Sequence, residues 1–181
     1  MDLTHRVATL DDLDAIRAVV RRAIEQLQTG FLTPEQVAAS YQVMGVDTQL
    51  LRDGTYILLL AGDRIAGCGG WSYRRTLFGG DASVVAREPE TLDPSTDAAR
   101  IRAMYTDPAF ARRGIGRRVL DLCERAARDA GFRRTEMMAT MAGEPLYRSC
   151  GYVRLEEPIA SEAGAAAVPL VRMGKLLTAV T

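Results

Sequence analysis

The chain has 181 residues, 48 % hydrophobic and 25 % charged, which fits one soluble globular domain over residues 1–181, long enough to bury a real core. Lys plus Arg and Asp plus Glu number 23 each, so the formal charge is zero. No global field therefore favours nucleic acid or an anionic membrane, and any anion has to be recognised locally.

The longest apolar run, Tyr56 to Ala61, is far short of the ~20 residues of a membrane-spanning helix. Met1 to Arg6 lacks the basic-then-apolar order of a secretion signal. Cys68, Cys123 and Cys150 are odd in number and scattered, which suggests neither a disulfide framework nor a zinc site. The expectation is a cytoplasmic protein with no metal, no nucleic acid partner and no membrane partner.

In chain order, Thr4 to Ala8 is a first-strand candidate, and Thr9-Leu10-Asp11-Asp12 resembles a capping box with Asp in place of Glu. Leu13, Ile16, Val20, Ile24 and Leu27 then recur at helical spacing, and Gly30 stops that helix. Thr33-Pro34-Glu35-Gln36 opens a second helix that ends near Gly45, and a shorter helical piece is expected from Asp47 to Asp53. The period next changes to that of a hairpin, Thr55 to Leu60, a turn at Ala61 to Arg64, and Ile65 to Tyr73. Its second strand contains Gly67, Gly69 and Gly70, which calls for a bulge or for a close approach to the backbone. Arg74 to Ala98 is polar and too long for an ordinary connection; it reads as either a mobile loop or a functional flap.

Arg100 to Thr106 alternates as a central strand does, and Asp107-Pro108 ends it. A helix follows whose expected buried stripe is Ile115, Val119, Leu122, Ala126 and Ala130, with Asp121 to Arg125 and Glu124 to Arg128 as ion pairs on the wet face. Gly131 closes it. Thr135 to Thr140 is a further strand, Glu144 to Cys150 a short helix ended by Gly151, and Val168 to Leu176 a last strand after the small-residue stretch 161–167.

The helix that begins in "DPAFARRGIGRRVL" places two glycines and four arginines where glycine weakens a helix and like charges repel. An anion resolves both conflicts. A helix amino terminus offers unpaired amides and about half a positive charge, glycines at 114 and 116 remove side chains that would block approach, and the arginines gain counter-charges. A strand-to-helix turn with solvated arginines is the competing reading of Gly-Ile-Gly alone. Neither a Rossmann fingerprint, which needs glycine at Val119, nor a P-loop, which needs Gly-Lys-Ser/Thr, fits.

The segments "MYTDPAFARRGIGRRVL", "GFRRTEMMAT" and "PLYRSCGY" together, from Met104 to Tyr152, resemble the GNAT superfamily of acyl-CoA-dependent N-acetyltransferases. That family's signature is a strand, a Gln/Arg-x-x-Gly-x-Gly/Ala loop, a long helix, a strand and a short helix with a tyrosine before Gly-Phe/Tyr. The resemblance implies a GNAT fold of the α/β (α+β) class: one mixed, mostly antiparallel sheet of about six to seven strands, flanked by about four helices, with the fourth and fifth strands splayed. It implies acetyl-coenzyme A as acyl donor, without a metal. The pyrophosphate would lie on the amides of Ala111, Arg112, Arg113, Gly114, Ile115, Gly116 and Arg117, and pantetheine along the main chain of Met104, Tyr105 and Thr106. Two positions depart from the pattern: Ala111 stands where the family has Gln or Arg, and Thr140 where it commonly has Asn, a side chain that touches pantetheine or the catalytic helix.

By the same resemblance Tyr147 is the general acid for the departing thiolate, against the alternative of a core tyrosine. The implied reaction is direct transfer of acetyl to a primary amine of a small-molecule or amino-acid-like acceptor, through a ternary complex and a tetrahedral intermediate. Arg100 stands where some relatives carry a glutamate base and cannot accept a proton at neutral pH. Glu136 is expected in an edge salt bridge to Arg133 or Arg134 and His5 on the surface, so water or bulk solvent takes the amine proton. Cys68 and Cys150 read as packing residues. Acceptor selectivity is expected from residues 28–40 and from the 74–98 loop. The resemblance and an exposed final strand point to a homodimer. A weakly catalytic acyl-CoA-binding sensor, favoured by Arg100 and Thr140, is the rival reading.

Overall fold

The computed structural model describes residues 2–83, 86–161 and 166–177; most of the 161–167 stretch and the middle of the 74–98 loop fall outside them. The hydrophobic alternation of the hairpin strands sets the layers. In β2 (Tyr56–Ala61), Tyr56 and Leu58 face one core while Ile57 and Leu59 face another, so the strand is buried on both sides. A sheet with two apolar faces needs helices on both.

Thr9 opens the first helical segment: its amide donates to Asp12 Oδ2 at 2.8 Å, and a 3₁₀ turn, Leu10–Asp12, leads into α1 (Leu13–Leu27). Ile16, Val19, Val20, Ala23 and Ile24 of α1 pack on Tyr56, Leu58 and Cys68. Thr33 and Gln36 cap α2 (Pro34–Ser40) reciprocally, at 3.3 and 3.1 Å. The carboxylate of Asp47 accepts from the Gln49 amide at the start of α3 (Thr48–Arg52).

The opposite face carries α4 (Ile115–Asp129), whose buried residues are Ile115, Val119, Leu120, Cys123, Glu124 and Ala127. The stripe is rotated by about one residue from the one expected. Leu122 and Ala126 are only half-buried and Ala130 is exposed, because Cys123 and Ala127, which are small, let the helix lie close on the sheet. Glu124, expected on the wet face with Arg128, is instead buried and takes Lys175 at 2.7 Å.

The sheet has eight strands in the order β1 (Thr4–Val7), β2, β3 (Arg64–Ser72), β4 (Ala99–Thr106), β5 (Arg134–Thr140), β8 (Val168–Leu176), β6 (Val153–Arg154), with β7 (Ile159–Ser161) also on β8. β6 and β7 are two and three residues long, too short for a period to be read from sequence. Only β4 and β5 run parallel; every other pair is antiparallel. β8 lies between β5 and the short strands, so it is no free edge. The argument from an exposed final strand to a homodimer therefore loses its footing.

The glycines of β3 serve both purposes that the sequence left open. A Cβ on Gly67 would lie 2.5 Å from Ile115 Cγ2, and one on Gly69 would lie 2.2 Å from Met104 Sδ and 2.9 Å from Val119 Cγ1. The helix and a β4 side chain thus come up against bare backbone. A bulge falls at the same place: Cys68 pairs with Tyr105 and Gly70 with Arg102, so two residues of β4 oppose Gly69 alone.

Candidate active site

β4 and β5 pair only at Ala99 with Thr135 and Arg100 with Glu136. Beyond that point β5 stays on β8 and β4 stays on β3, so the edge of β4 that faces β5 opens. Ala103, in the bulge, has a φ of 50°, a left-handed conformation rare for a residue with a Cβ. Its carbonyl accepts from the Tyr56 hydroxyl at 2.8 Å, which holds the bulge in place.

A cavity of about 230 Å³ occupies the opening, and Met104, Tyr105, Thr106, Gly116, Thr140 and Tyr147 all line it. At its other end the walls are Leu27, Gln28, Val43, Met44, Phe78 and Met138. Of residues 28–40, only Gln28 reaches the cavity, and residues 43–45 line it as well.

The 74–98 loop is a packed flap over its described residues. The amides of Arg75 and Thr76 donate to the carbonyls of Glu90 and Glu88, and the Arg74 guanidinium holds Asp53 at 2.6 Å. Its tip rests on the segment before α3: the Asp81 amide donates to Val46 O, and a Cβ on Gly80 would lie 2.8 Å from that oxygen. This places Leu77, Phe78 and Gly79 in the cavity wall.

Tyr147 lies on α5 (Glu144–Ser149). Thr140 starts that helix: its backbone O and its Oγ1 accept from the Gly143 amide at 3.0 and 3.2 Å. The side chain at the family's Asn position thus touches the tyrosine-bearing helix. A Cβ on Gly143 would lie 2.8 Å from Tyr147 Cε2, so the ring needs glycine there. Tyr147 and Tyr152 pack with centroids 6.0 Å apart but differ at their hydroxyls. The Tyr152 hydroxyl shares a 2.8 Å hydrogen bond with Thr135 Oγ1, whereas that of Tyr147 has no partner among the described residues and sits on the cavity wall. Burial pushes the Tyr147 phenol well above its ordinary pKa, so it stays a proton donor through neutral pH.

At the amino end of α4, Gly114 is the cap residue with a φ of 78° and offers no side chain to the helix. None of the backbone amides from Arg112 to Arg117 makes a well-formed hydrogen bond to the described residues. Arg112 itself has a φ of 62°, so the turn folds its amides inward at some conformational cost. No carboxylate pairs with Arg112, Arg113, Arg117 or Arg118 among the described residues; Arg117 donates to Ser149 O and Oγ instead. Ile115 is buried and holds the helix on the core. Unpaired amides, a helix dipole and free guanidiniums fit a pyrophosphate.

The two glycines differ in reason. A Cβ on Gly114 would meet open space, whereas one on Gly116 would lie 2.7 Å from Leu146 Cδ2 and 3.6 Å from Thr106 Oγ1. Gly116 is therefore where α4, α5 and the end of β4 converge.

The candidate bases are committed elsewhere. Glu136 pairs with Arg100 at 2.8 Å and with Arg172 at 2.6 Å, not with Arg133 or Arg134, because its side chain meets the neighbouring strands across the sheet. His5 is exposed on β1. Cys68 is fully buried and burial pushes its thiol up to about 12, which makes it inert packing.

The comparisons agree with this geometry. A crystal structure of a GCN5-related N-acetyltransferase from Rhodopseudomonas palustris matches 98 % of this chain and 97 % of its own at 16 % identity and a TM-score of 0.69. PaiA N-acetyltransferase from Thermoplasma acidophilum, in complex with coenzyme A, matches 97 % of this chain and 99 % of its own (14 % identity, TM-score 0.63). N-acetylglutamate synthase from Neisseria gonorrhoeae, complexed with coenzyme A and N-acetyl-glutamate, matches 99 % of this chain and 36 % of its own (16 % identity, TM-score 0.63). At such identities these are likenesses of fold. No curated protein sequence matches. The profile of the acetyltransferase (GNAT) family matches residues 21–152, most of the chain, and the chain belongs to that family of acyl-CoA-dependent N-acetyltransferases.

Proposed function

We propose that the protein transfers acetyl from acetyl-coenzyme A directly to the primary amine of a small acceptor, both bound at once in the cavity between β4 and β5. The observation that carries this reading is the continuity of that cavity, from Gly116 and Tyr147 at one end to Gln28 and Phe78 at the other. One chamber thus serves donor and acceptor, and no covalent enzyme intermediate is required.

Acetyl-coenzyme A supplies a thioester whose acetyl group the amine takes and whose sulfur leaves as a thiolate. The residues do the rest. The amides of Arg112 to Arg117 bind the diphosphate, and Arg112 and Arg113 neutralise it. The open edge of Met104 to Thr106 aligns the pantetheine arm, and a main-chain amide there donates to the developing oxyanion. Tyr147 donates its hydroxyl proton to the leaving sulfur. With Glu136 held by two arginines, the proton lost by the amine goes to water, and the phenol regains its own from solvent.

Among the described residues the acceptor end carries no free carboxylate in its lining, which argues against polycations such as polyamines and for a small amine with an apolar body. The test is acetyl transfer from acetyl-coenzyme A across a panel of primary amines, read as release of free thiol. Turnover on small apolar amines above the hydrolysis background supports the reading. Tight coenzyme A binding with no transfer to any amine would replace it with the sensor reading.

A further inference from the structure

Gln28 is the cap residue that ends α1, is 7 % exposed, and lines the acceptor end of the cavity. Its backbone carbonyl is used, accepting from the amides of Phe31 and Leu32. Its side chain is not. Oε1 is enclosed with no hydrogen-bond partner, and the carboxamide bonds to none of the described residues. Leu27, Val43, Met44 and Phe78 line the same cavity. An amide buried among such groups loses its hydration and gains nothing within the protein.

The charge balance of the wall narrows what could answer that amide. Among the described residues, Arg102 is the only charged one in the lining. Its two terminal nitrogens are committed, one 2.6 Å from Asp47 Oδ2 and the other 2.6 Å from Gly79 O. The contact with Asp47 is ionic in distance without hydrogen-bond alignment; Asp47 also lies 2.9 Å from Arg87, and Asp81 lies 3.4 Å from Arg87, so the two carboxylates together balance the two guanidiniums. An acceptor carboxylate would find no free cation there, and a second ammonium no free carboxylate.

A carboxamide both donates and accepts, so its natural complement is another neutral group that does the same. We propose that Gln28 selects the acceptor by pairing with a neutral amide on it, so that the substrate class is a primary amine with an apolar body and a carboxamide or peptide group. This rests on the acetyltransferase reading above and refines its acceptor.

The experiment compares leucinamide, leucine and isoamylamine, three amines of one apolar body, as acceptors for the wild-type chain and for Gln28→Met, a swap of similar volume. The wild type is expected to prefer leucinamide over isoamylamine by about 10-fold or more in kcat/KM, the worth of one to two neutral hydrogen bonds, and to disfavour leucine. In Gln28→Met that ratio falls to near 1. Thermal melting supplies the reading that separates recognition from scaffolding: Gln28→Met melts higher than wild type, because an unanswered buried amide is gone. A wild type that does not prefer the amide, a preference that survives in Gln28→Met, or a lower melting temperature in the variant each overturns the proposal while amine acetylation stands. Absence of transfer to every amine overturns both readings.

Discussion

Replacing Tyr147 by Phe removes one oxygen and keeps the ring that packs on Tyr152 and over Gly143. Since that oxygen has no partner among the described residues, the variant is expected to melt at or slightly above the wild-type temperature. The catalytic loss follows from what a buried phenol can give. Its pKa is raised by burial, whereas a free thiol titrates near 8.5, so full proton transfer to the sulfur is uphill until the thiolate is itself desolvated. The lower bound on the contribution is then that of a hydrogen bond to a developing charge, about 1.5–3 kcal/mol. At about 1.4 kcal/mol per decade this is roughly a 10- to 150-fold fall in kcat. The assay is thiol release at saturating acetyl-coenzyme A, with the coenzyme A Kd measured separately by calorimetry and expected to stay within about 3-fold, since the diphosphate site proposed above is at the start of α4 and not on Tyr147.

The pH profile tests the same assignment. A donor must be protonated, and a phenol whose pKa is raised above its ordinary ~10 stays protonated through pH 9.5. Only the acceptor ammonium then shapes the curve. kcat/KM climbs as that proton is lost and levels off, with no alkaline descent. An alkaline limb below pH 10 that Tyr147→Phe abolishes would refute the raised pKa, and a kcat for Tyr147→Phe within about 3-fold of wild type would refute the donor role.

The two glycines of the α4 turn should fail differently. Gly114→Ala places a Cβ at a φ of 78° with open space around it, so it costs about 1–2 kcal/mol of stability and weakens coenzyme A binding with kcat at saturation retained. Gly116→Ala drives a Cβ to 2.7 Å from Leu146 Cδ2. This displaces α5 next to Tyr147, so kcat falls, and the reverse pattern in paired melts and kinetics would contradict the assignment. Stability should also drop in alkali. Burial raises the thiols of Cys68 and Cys123 and the phenols of Tyr56, Tyr105, Tyr147 and Tyr152. Their folded pKa values exceed the unfolded ones, so the stabilisation is complete below about pH 8.5. It is lost as pH rises through the range up to about 12 where Cys68 titrates. Unfolding free energies from urea titrations at pH 7, 9.5 and 10.5 should fall by up to about 1.4 kcal/mol per pH unit for each titrating group, and a stability flat through pH 10.5 would contradict the burial.

The longer strands, the helices and the glycine–arginine turn before α4 were legible because their signals are local: apolar period, the cap at Thr33, and glycine with arginine where a helix begins. What escaped depends on partners distant in sequence. Gly116 reads as room for an anion, yet its tight neighbour is Leu146, thirty residues on. Glu136 reads as an edge residue near Arg133 and Arg134, yet strand pairing brings it Arg100 and Arg172. The rotation of the α4 stripe needed the knowledge that β3 presents glycine beneath it. Gln28 fell within a stretch flagged for acceptor selectivity, but helix-end glutamines are usually solvated, and only the fold encloses this one.

The opening between β4 and β5 has a specific origin in side-chain volume. Two β4 residues oppose Gly69 alone, and the extra one is accommodated because Met104 Sδ takes the volume that a Cβ on Gly69 would fill. The price of the bulge is the left-handed Ala103, of the order of 1–3 kcal/mol, offset by the Tyr56 hydroxyl on its carbonyl and by the burial of Tyr56 itself. A bulge strengthens local twist, and here it lies just beyond the last β4–β5 pair at Arg100, so β4 turns away while β5 remains held by seven pairings to β8. The cleft therefore follows from a glycine that yields space and a tyrosine that locks the strain, both outside the Met104–Tyr152 segment that carries the family resemblance. The chain thus divides the cleft in sequence: the hairpin opens the sheet, the segment from Met104 to Tyr152 supplies much of the cavity wall, and the end of α1, residues 43–45 and the flap supply more of it.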